Sequence, residues 1–167
     1  MVLEVGSLFH RDGATLPVDL TEQMKASADI PDVVEFVEPV RIEGTLKNED
    51  GVFILDAEGR TALLLSCARC LAPVRKEICF DIKERFAHTG REIEETETFT
   101  GDQIDLADFV KRGIVGALPM KVLCREDCKG LCPVCGRDLN QGDCGCDTTE
   151  RDLRFESLRA LFNDEEV

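Results

Sequence analysis

The chain has 167 residues, 43% of them hydrophobic, which suits one domain with a packed core or one domain with a small metal-bound appendage. Its net charge of −14 repels nucleic acid unless the few cations cluster, and favours a basic protein partner. No apolar run approaches the roughly 18 residues of a membrane span, and the first residues lack the order of a signal peptide. We therefore expect a cytoplasmic protein without membrane contact.

The pattern over the first half of the chain predicts mostly β-structure. Residues 19–28 predict a short helix, and residues 32–86 predict an antiparallel meander. Apolar and polar residues alternate over 40–47, as they do in a half-buried strand. Hairpin turns are predicted at 48–51, which ends in Asp-Gly, and at 57–59. The pattern leaves open whether this sheet curls into a partial barrel.

A loop and then a helix are predicted after the meander. Residues 89–101 are rich in glutamate and predict a solvated loop rather than a catalytic carboxylate pair. Residues 103–118 predict the clearest helix, with an apolar stripe, Asp105 as its cap and Pro119 at its end. We expect this helix to pack on the sheet and to lead the chain into a cysteine-rich segment.

These elements predict an α+β protein in three stretches. Residues 1–118 form a β-rich core that includes the helix, and residues 119–147 form a cysteine-rich, metal-binding segment. Residues 148–167 form a short helix, capped by Asp152, and an acidic tail. The predicted fold is therefore an antiparallel meander with one packed helix and a C-terminal zinc module.

Nine cysteines are present, and their paired spacing in a cytoplasmic protein favours metal over disulfides. Cys132 and Cys135 have the form of a zinc knuckle, because two intervening residues allow a tight turn to aim both sulfurs at one ion. Gly136 lets the backbone turn away without a Cβ clash. The eight predicted metal ligands are Cys67, Cys70, Cys124, Cys128, Cys132, Cys135, Cys144 and Cys146.

Two divisions of these ligands between two zinc ions are compatible with the sequence. One assignment gives the last four to one ion and pairs Cys67 and Cys70 with Cys124 and Cys128 on the other. A competing assignment places residues 124, 128, 132 and 135 on one ion, and the spacing excludes neither. Cys79 has no cysteine near it in the sequence and is expected to take no part.

Catalytic chemistry is not indicated. The chain has no Ser-His-Asp set, phosphate-cradling loop or nucleotide fingerprint, and sites filled by four thiolates leave no open position for a catalytic water. Radical iron–sulfur chemistry would need a large barrel after the cysteines, and a redox dithiol at Cys67 and Cys70 would need a thioredoxin-like context. His10 and His88 have no partners at the spacing of metal ligands, and we expect both to be ordinary surface residues.

Four motifs together resemble a known family. They are the segment from Cys67 to Leu71, Leu118-Pro119, the run from Cys124 to Asn140, and Cys144-Gly-Cys146. This chain resembles the YceD family of large ribosomal RNA accumulation proteins from about Val33 onward. Some members keep only the first cysteine set, which fits two separable metal sites. The resemblance brings no established catalytic residues.

The resemblance implies a bacterial or organellar, non-enzymatic factor that supports large-subunit assembly and ribosomal RNA accumulation. With the acidic charge, it predicts a ribosomal protein or a pre-ribosomal particle of the large subunit as partner, with no small-molecule substrate. Direct ribosomal RNA binding by a zinc protein is the alternative, and a metal-dependent or redox enzyme is a distant one. The cations that could contact RNA are Arg69, Lys121, Arg125, Lys129 and Arg137.

Overall fold

A long β-hairpin forms the centre of the fold. The computed structural model describes residues 1–27, 30, 32–90 and 93–147. The described elements are β1 (Val2–Glu4), β2 (Thr15–Glu22), β3 (Val33–Phe36), β4 (Val40–Glu49), β5 (Val52–Ser66), β6 (Pro73–His88), β7 (Glu97–Phe99), β8 (Gln103–Asp105), the helix α1 (Ala107–Ala117) and a 3-10 turn (Gly6–Leu8). Strands β5 and β6 pair in antiparallel register from Val52↔Ala87 to Ser66↔Pro73. The hairpin extends from the core to the cysteine-rich end.

The remaining strands are arranged around this hairpin in two open sheets. The larger sheet has the order β2-β4-β5-β6-β7, and β3 pairs with β5 beyond the end of β4. Strands β1 and β8 form a separate antiparallel pair. The described chain is thus mostly β-sheet with one helix, in coarse agreement with the predicted α+β class. No closed barrel occurs among these strands, and β3 pairs with β5 rather than with its meander neighbour β4.

The predicted turn at 57–59 is wrong, because β5 continues through it. Gly59 is required by packing: a Cβ at this position would lie 2.3 Å from the ring of Phe80 on β6. A Cβ on Gly113 of α1 would lie 2.4 Å from the same ring. The Phe80 ring therefore fits between a strand and a helix only because both neighbours lack side chains.

The predicted helix at 19–28 is also wrong over its described residues, 19–27, none of which is helical. Residues up to Glu22 belong to β2, which pairs with β4 along its length and buries Val18. Pro17 is tolerated there because β2 is an edge strand that needs fewer ladder hydrogen bonds. Long-range pairing with β4 therefore overrides the local helical pattern.

Two other boundaries differ from the prediction. The acidic loop at 89–101 contains β7, which pairs in parallel with the end of β6 and buries Phe99. The helix begins at Ala107 rather than at residue 103, because residues 103–105 form β8 and pair with β1. Leu106 occupies the N-cap position, and the Asp105 carboxylate accepts a hydrogen bond from the Ala107 N–H at 2.9 Å.

Helix α1 packs on β6 through buried Val110 and Ile114, which confirms the expected contact with the sheet. Within the described residues, no helix is long and apolar enough to cross a membrane. The helix predicted after Asp152 lies outside the described residues. The division into 1–118, 119–147 and 148–167 stays a prediction.

Candidate metal centres

The first pair of cysteines lies at the tip of the central hairpin. Cys67 follows β5 directly, its N–H donates to the Ala72 carbonyl at 2.9 Å, and its own carbonyl accepts the Leu71 N–H at 2.9 Å. Leu71 has a positive φ of 60°. The tight loop between β5 and β6 therefore brings the Cys67 and Cys70 sulfurs to the same side.

The chain after α1 brings the second pair of cysteines to this tip. The Ala68 N–H donates to the Val122 carbonyl at 2.8 Å, which aligns the two segments. Arg69 adds a hydrogen bond from its guanidinium to the Cys128 carbonyl at 2.6 Å. The tip of the hairpin is thereby joined to the segment after α1, which is far from it in the sequence.

The four sulfurs of Cys67, Cys70, Cys124 and Cys128, here called the first cluster, lie within 4.8 Å of one another. The Cys67–Cys128 sulfur distance is 3.9 Å and the Cys70–Cys124 sulfur distance is 3.6 Å. Zinc with tetrahedral bonds of about 2.3 Å needs sulfurs about 3.8 Å apart. The geometry therefore fits one tetrahedral ion.

The second cluster is local in sequence and consists of Cys132, Cys135, Cys144 and Cys146, whose sulfurs also lie within 4.8 Å of one another. The Cys132 carbonyl accepts the Gly136 N–H at 2.9 Å, as in the first turn. Gly136 has a φ of 72°, so the predicted glycine turn is present, and Gly145 between Cys144 and Cys146 has a φ of 69°.

All eight predicted ligands are thus brought into two separate groups of four, and the competing grouping of residues 124, 128, 132 and 135 is not formed. No disulfide joins the nine cysteines, all of which lie in the described part of the chain. Either group could hold a metal ion. That these thiols bind zinc stays a prediction.

Backbone amides favour the ionised form of one buried thiol in each cluster. N–H groups of Cys70 and then Arg69 lower the pKa of Cys67 to about 6. N–H groups of Cys135 and then Val134 lower the pKa of Cys132 to about 6. Amides that point at a sulfur stabilise the thiolate, which is the form that binds a metal.

Cys124 and Cys146 resist ionisation, because their sulfurs are partly shielded from water and lie beside other thiols. Loss of water around its sulfur, followed by the adjacent Cys70 thiol, raises the pKa of Cys124 to about 12, although the residue as a whole is exposed. Hydrogen bonds that the Cys146 thiol donates to Cys135 and then to Cys144 raise the pKa of Cys146 to about 12. Four thiolates can share so small a space only if a cation compensates their charge.

Residues outside the clusters are placed as follows. Cys79 is exposed on β6 and belongs to neither cluster. His10 and His88 are both exposed and line one cavity of about 560 Å³ together with Asp102. Their meeting was not predicted, because neither spacing nor strand phase links positions so distant in the sequence.

The candidate RNA-contacting cations divide into two groups. Arg69 hydrogen-bonds the Cys128 carbonyl, and Arg125 contacts Asn140 at 2.7 Å and Asp127 at 3.5 Å. The side chains of the remaining cations are exposed and make no hydrogen bond or ion pair with the residues that the structure describes. These free cations are Lys121, Lys129 and Arg137.

Comparison with protein families gives a match that covers both clusters. The profile of the family described as large ribosomal RNA subunit accumulation protein YceD matches residues 55–162. The chain belongs to the YceD family. This confirms the resemblance drawn from the cysteine motifs, and the matched range includes most of the central hairpin, helix α1 and all eight clustered cysteines.

Relatives of this YceD-family chain include uncharacterised proteins of Mycobacterium tuberculosis and Mycobacterium bovis. Each is 40% identical over 79 residues, which are 44% of this chain and 38% of the relative. An uncharacterised protein of Mycobacterium leprae is 24% identical over 146 residues, which are 83% of this chain and 67% of the relative. No solved structure matches the chain.

Proposed function

We propose that this YceD-family protein is a cytoplasmic, non-enzymatic factor for assembly of the large ribosomal subunit and accumulation of its RNA. The family match over residues 55–162 carries the proposal, because the family description names large-subunit ribosomal RNA accumulation. The two clusters support a structural role for metal in this function. The chain would then act by binding rather than by turnover.

Zinc is the metal that the ligand chemistry favours. A tetrahedral set of four thiolates selects zinc or an iron–sulfur centre, and the sulfur spacing near 3.8 Å suits a single zinc ion. Four protein ligands leave no position for a catalytic water. The residues of both clusters would therefore hold zinc for folding, and a metal-dependent or redox enzyme remains the distant alternative, which a turnover assay after metal loading would address.

Charge supports a basic ribosomal protein as the partner. The net charge of −14 attracts a cationic protein and repels a polyphosphate. Of the candidate RNA-contacting cations, Arg69 and Arg125 already bind groups within the molecule. The cations that remain are a small footprint for RNA, since each phosphate contact needs its own cation. A carrier that keeps a basic protein in solution until it docks fits these charges best.

Titration of the zinc-loaded chain with a basic large-subunit protein and with large-subunit ribosomal RNA tests the partner. We expect measurable affinity for the protein at about 0.15 M salt, weakening as salt rises, because exposed charges are screened over about 8 Å. Affinity for the isolated RNA should be weak. Recovery of the protein and RNA partners from a native lysate would identify the natural complex.

A matched pair of charge reversals separates the carrier from the RNA-binding alternative. The variant Lys129→Glu/Arg137→Glu removes two free cations near the clusters, whereas Lys76→Glu/Arg85→Glu makes the same charge change on exposed positions of β6. Tight RNA binding that is lost only in the first variant would overturn the carrier proposal and favour direct RNA contact. Similar, small effects of both variants on protein binding would support the carrier.

A further inference from the structure

Asn140 connects the two clusters. It lies in the segment between Cys135 and Cys144 and thus belongs to the chain that forms the second cluster. Its side-chain amide nevertheless donates to the sulfur of Cys128, a member of the first cluster, at 3.4 Å. Among the described residues, this side chain therefore provides a direct contact from the second segment to a sulfur of the first cluster.

The orientation of the Asn140 amide is determined by its neighbours. Its oxygen accepts hydrogen bonds from the Arg125 guanidinium at 2.7 Å and from the Lys129 backbone N–H at 2.8 Å. The NH₂ group then faces the Cys128 sulfur and an oxygen of Asp138, the latter at 2.6 Å. The flipped amide would place its NH₂ group against the two donors from Arg125 and Lys129. Only the unflipped orientation satisfies these donors, and in it the NH₂ group points at the Cys128 sulfur.

The position of Asn140 depends on a small hairpin that also builds the second cluster. Leu131 and Asp138 form an isolated antiparallel bridge. The Cys132 N–H donates to the Arg137 carbonyl at 2.8 Å, so the loop that carries Cys132 and Cys135 is closed at its base. The Asn140 N–H donates to Asp138 at 2.9 Å. Anything that holds this loop in shape also holds Asn140 against Cys128.

We infer that Asn140 couples the two clusters, such that a filled second cluster holds Asn140 as a donor to the Cys128 sulfur and tightens metal binding by the first. A donor to a ligand atom orients the ligand and stabilises its charged form, and loss of such a partner commonly weakens metal binding about 10–100-fold. Coupling of two binding equilibria is reciprocal, so the first cluster tightens the second equally. This inference rests on the proposed metal sites but not on the ribosomal partner.

Cobalt(II) titration of the full chain, followed by zinc competition, tests the coupling through the absorption of thiolate-bound cobalt. In the otherwise intact chain, Asn140→Ala should lower the affinity of the first cluster for cobalt about 10–100-fold. Asn140→Asp keeps an oxygen for Arg125 and Lys129 but loses the donor, and should weaken it as well. The control is Gln141→Ala, whose side chain donates to the Asp138 carboxylate at 3.3 Å rather than to a sulfur of either cluster, and it should leave both affinities unchanged.

The decisive comparison repeats Asn140→Ala in a chain that carries Cys144→Ser/Cys146→Ser. That background should already bind cobalt more weakly at the first cluster, and Asn140→Ala should add only a small further loss, since effects that act through one route are not additive. An equal loss in both backgrounds would make Asn140 a local partner of Cys128 and overturn the coupling. Unchanged affinity in the intact chain would overturn any role. Absence of metal binding by the unmodified chain would instead refute the proposed sites themselves.

Discussion

The two clusters have similar ligands but a different relation to the fold. The first joins the tip of the central hairpin to the segment after helix α1, and buries Cys67 and Cys128. The second takes all its ligands from one short segment and buries only Cys132. The first cluster therefore closes a long-range contact of the whole domain, whereas the second shapes a local loop.

The turns that begin the two clusters share a backbone conformation and differ in one residue. In each, the residue after the second cysteine has a positive φ, 60° at Leu71 and 72° at Gly136, and donates its N–H to the carbonyl of the first cysteine. Glycine adopts this conformation without steric cost, whereas leucine does not. The hairpin tip is therefore the more strained of the two turns.

The largest expected effect separates the clusters by their contribution to stability. Metal-binding free energy at such sites becomes folding free energy, on the order of 10 kcal/mol in small zinc peptides. Cys67→Ser should therefore lower the thermal stability of the whole domain strongly, whereas Cys144→Ser should loosen the second loop and lower the stability of the domain much less. Thermal unfolding followed by circular dichroism measures both.

Cys79→Ser is the control for this experiment, because Cys79 is exposed and belongs to neither cluster. It should leave the unfolding temperature unchanged. Equal shifts for Cys67→Ser and Cys144→Ser would count against two sites with different roles.

A smaller effect is expected where helix α1 meets the sheet, because this contact positions the chain that carries Cys124. Gly113→Ala would place a methyl group 2.4 Å from the Phe80 ring, whereas Gly116→Ala meets nothing within 4 Å. We expect Gly113→Ala to lower stability by about 1–3 kcal/mol through overpacking. Gly116→Ala should raise it by up to about 1 kcal/mol through helix propensity.

Denaturant unfolding of the two alanine variants gives both values. The second cluster should bind cobalt almost normally in either variant, since it takes all its ligands from one segment after the helix. If Gly113→Ala weakened cobalt binding more at the second cluster than at the first, this would contradict a first cluster that depends on the fold and a second cluster that is local.

The smallest effects concern the two turns. Gly136→Leu should lower the free energy of unfolding by about 1–2 kcal/mol, because leucine must adopt the left-handed backbone conformation. Leu71→Gly relieves the same strain and should raise the free energy of unfolding. The increase is reduced by about 0.5–1 kcal/mol, because glycine loses more conformational entropy on folding. Leu71 is 65% exposed, so little burial is lost. In denaturant unfolding, we expect Gly136→Leu to lower stability and Leu71→Gly to raise it. Loss of stability in both variants would show that the Leu71 side chain contributes a contact.

Local features of both clusters could be predicted from the sequence, whereas the contacts of particular side chains between distant segments could not. The spacing of Cys132 and Cys135 with the following Gly136 predicted a turn of the observed kind. Gly59 looks like a turn residue in the sequence, and only the position of Phe80 explains why it lies inside a strand. The contact of Asn140 with Cys128 likewise depends on folding of the intervening chain, and no local pattern marks it.

Strands with a clear period of two were predicted well, and those defined by distant partners were not. Residues 40–47 alternate and form β4, whereas β7 and β8 exist because β6 and β1 supply their hydrogen bonds. Short strands have too few residues to show a period. Their position depends on tertiary pairing instead.

Native mass spectrometry of the chain purified without added zinc tests most directly whether the two clusters are separate metal sites. Two zinc ions are expected in the unmodified chain and in Cys79→Ser, and one in Cys144→Ser/Cys146→Ser, where the first cluster is left intact. A single zinc ion in the unmodified chain, or loss of zinc after Cys79→Ser, would contradict two separate four-cysteine sites.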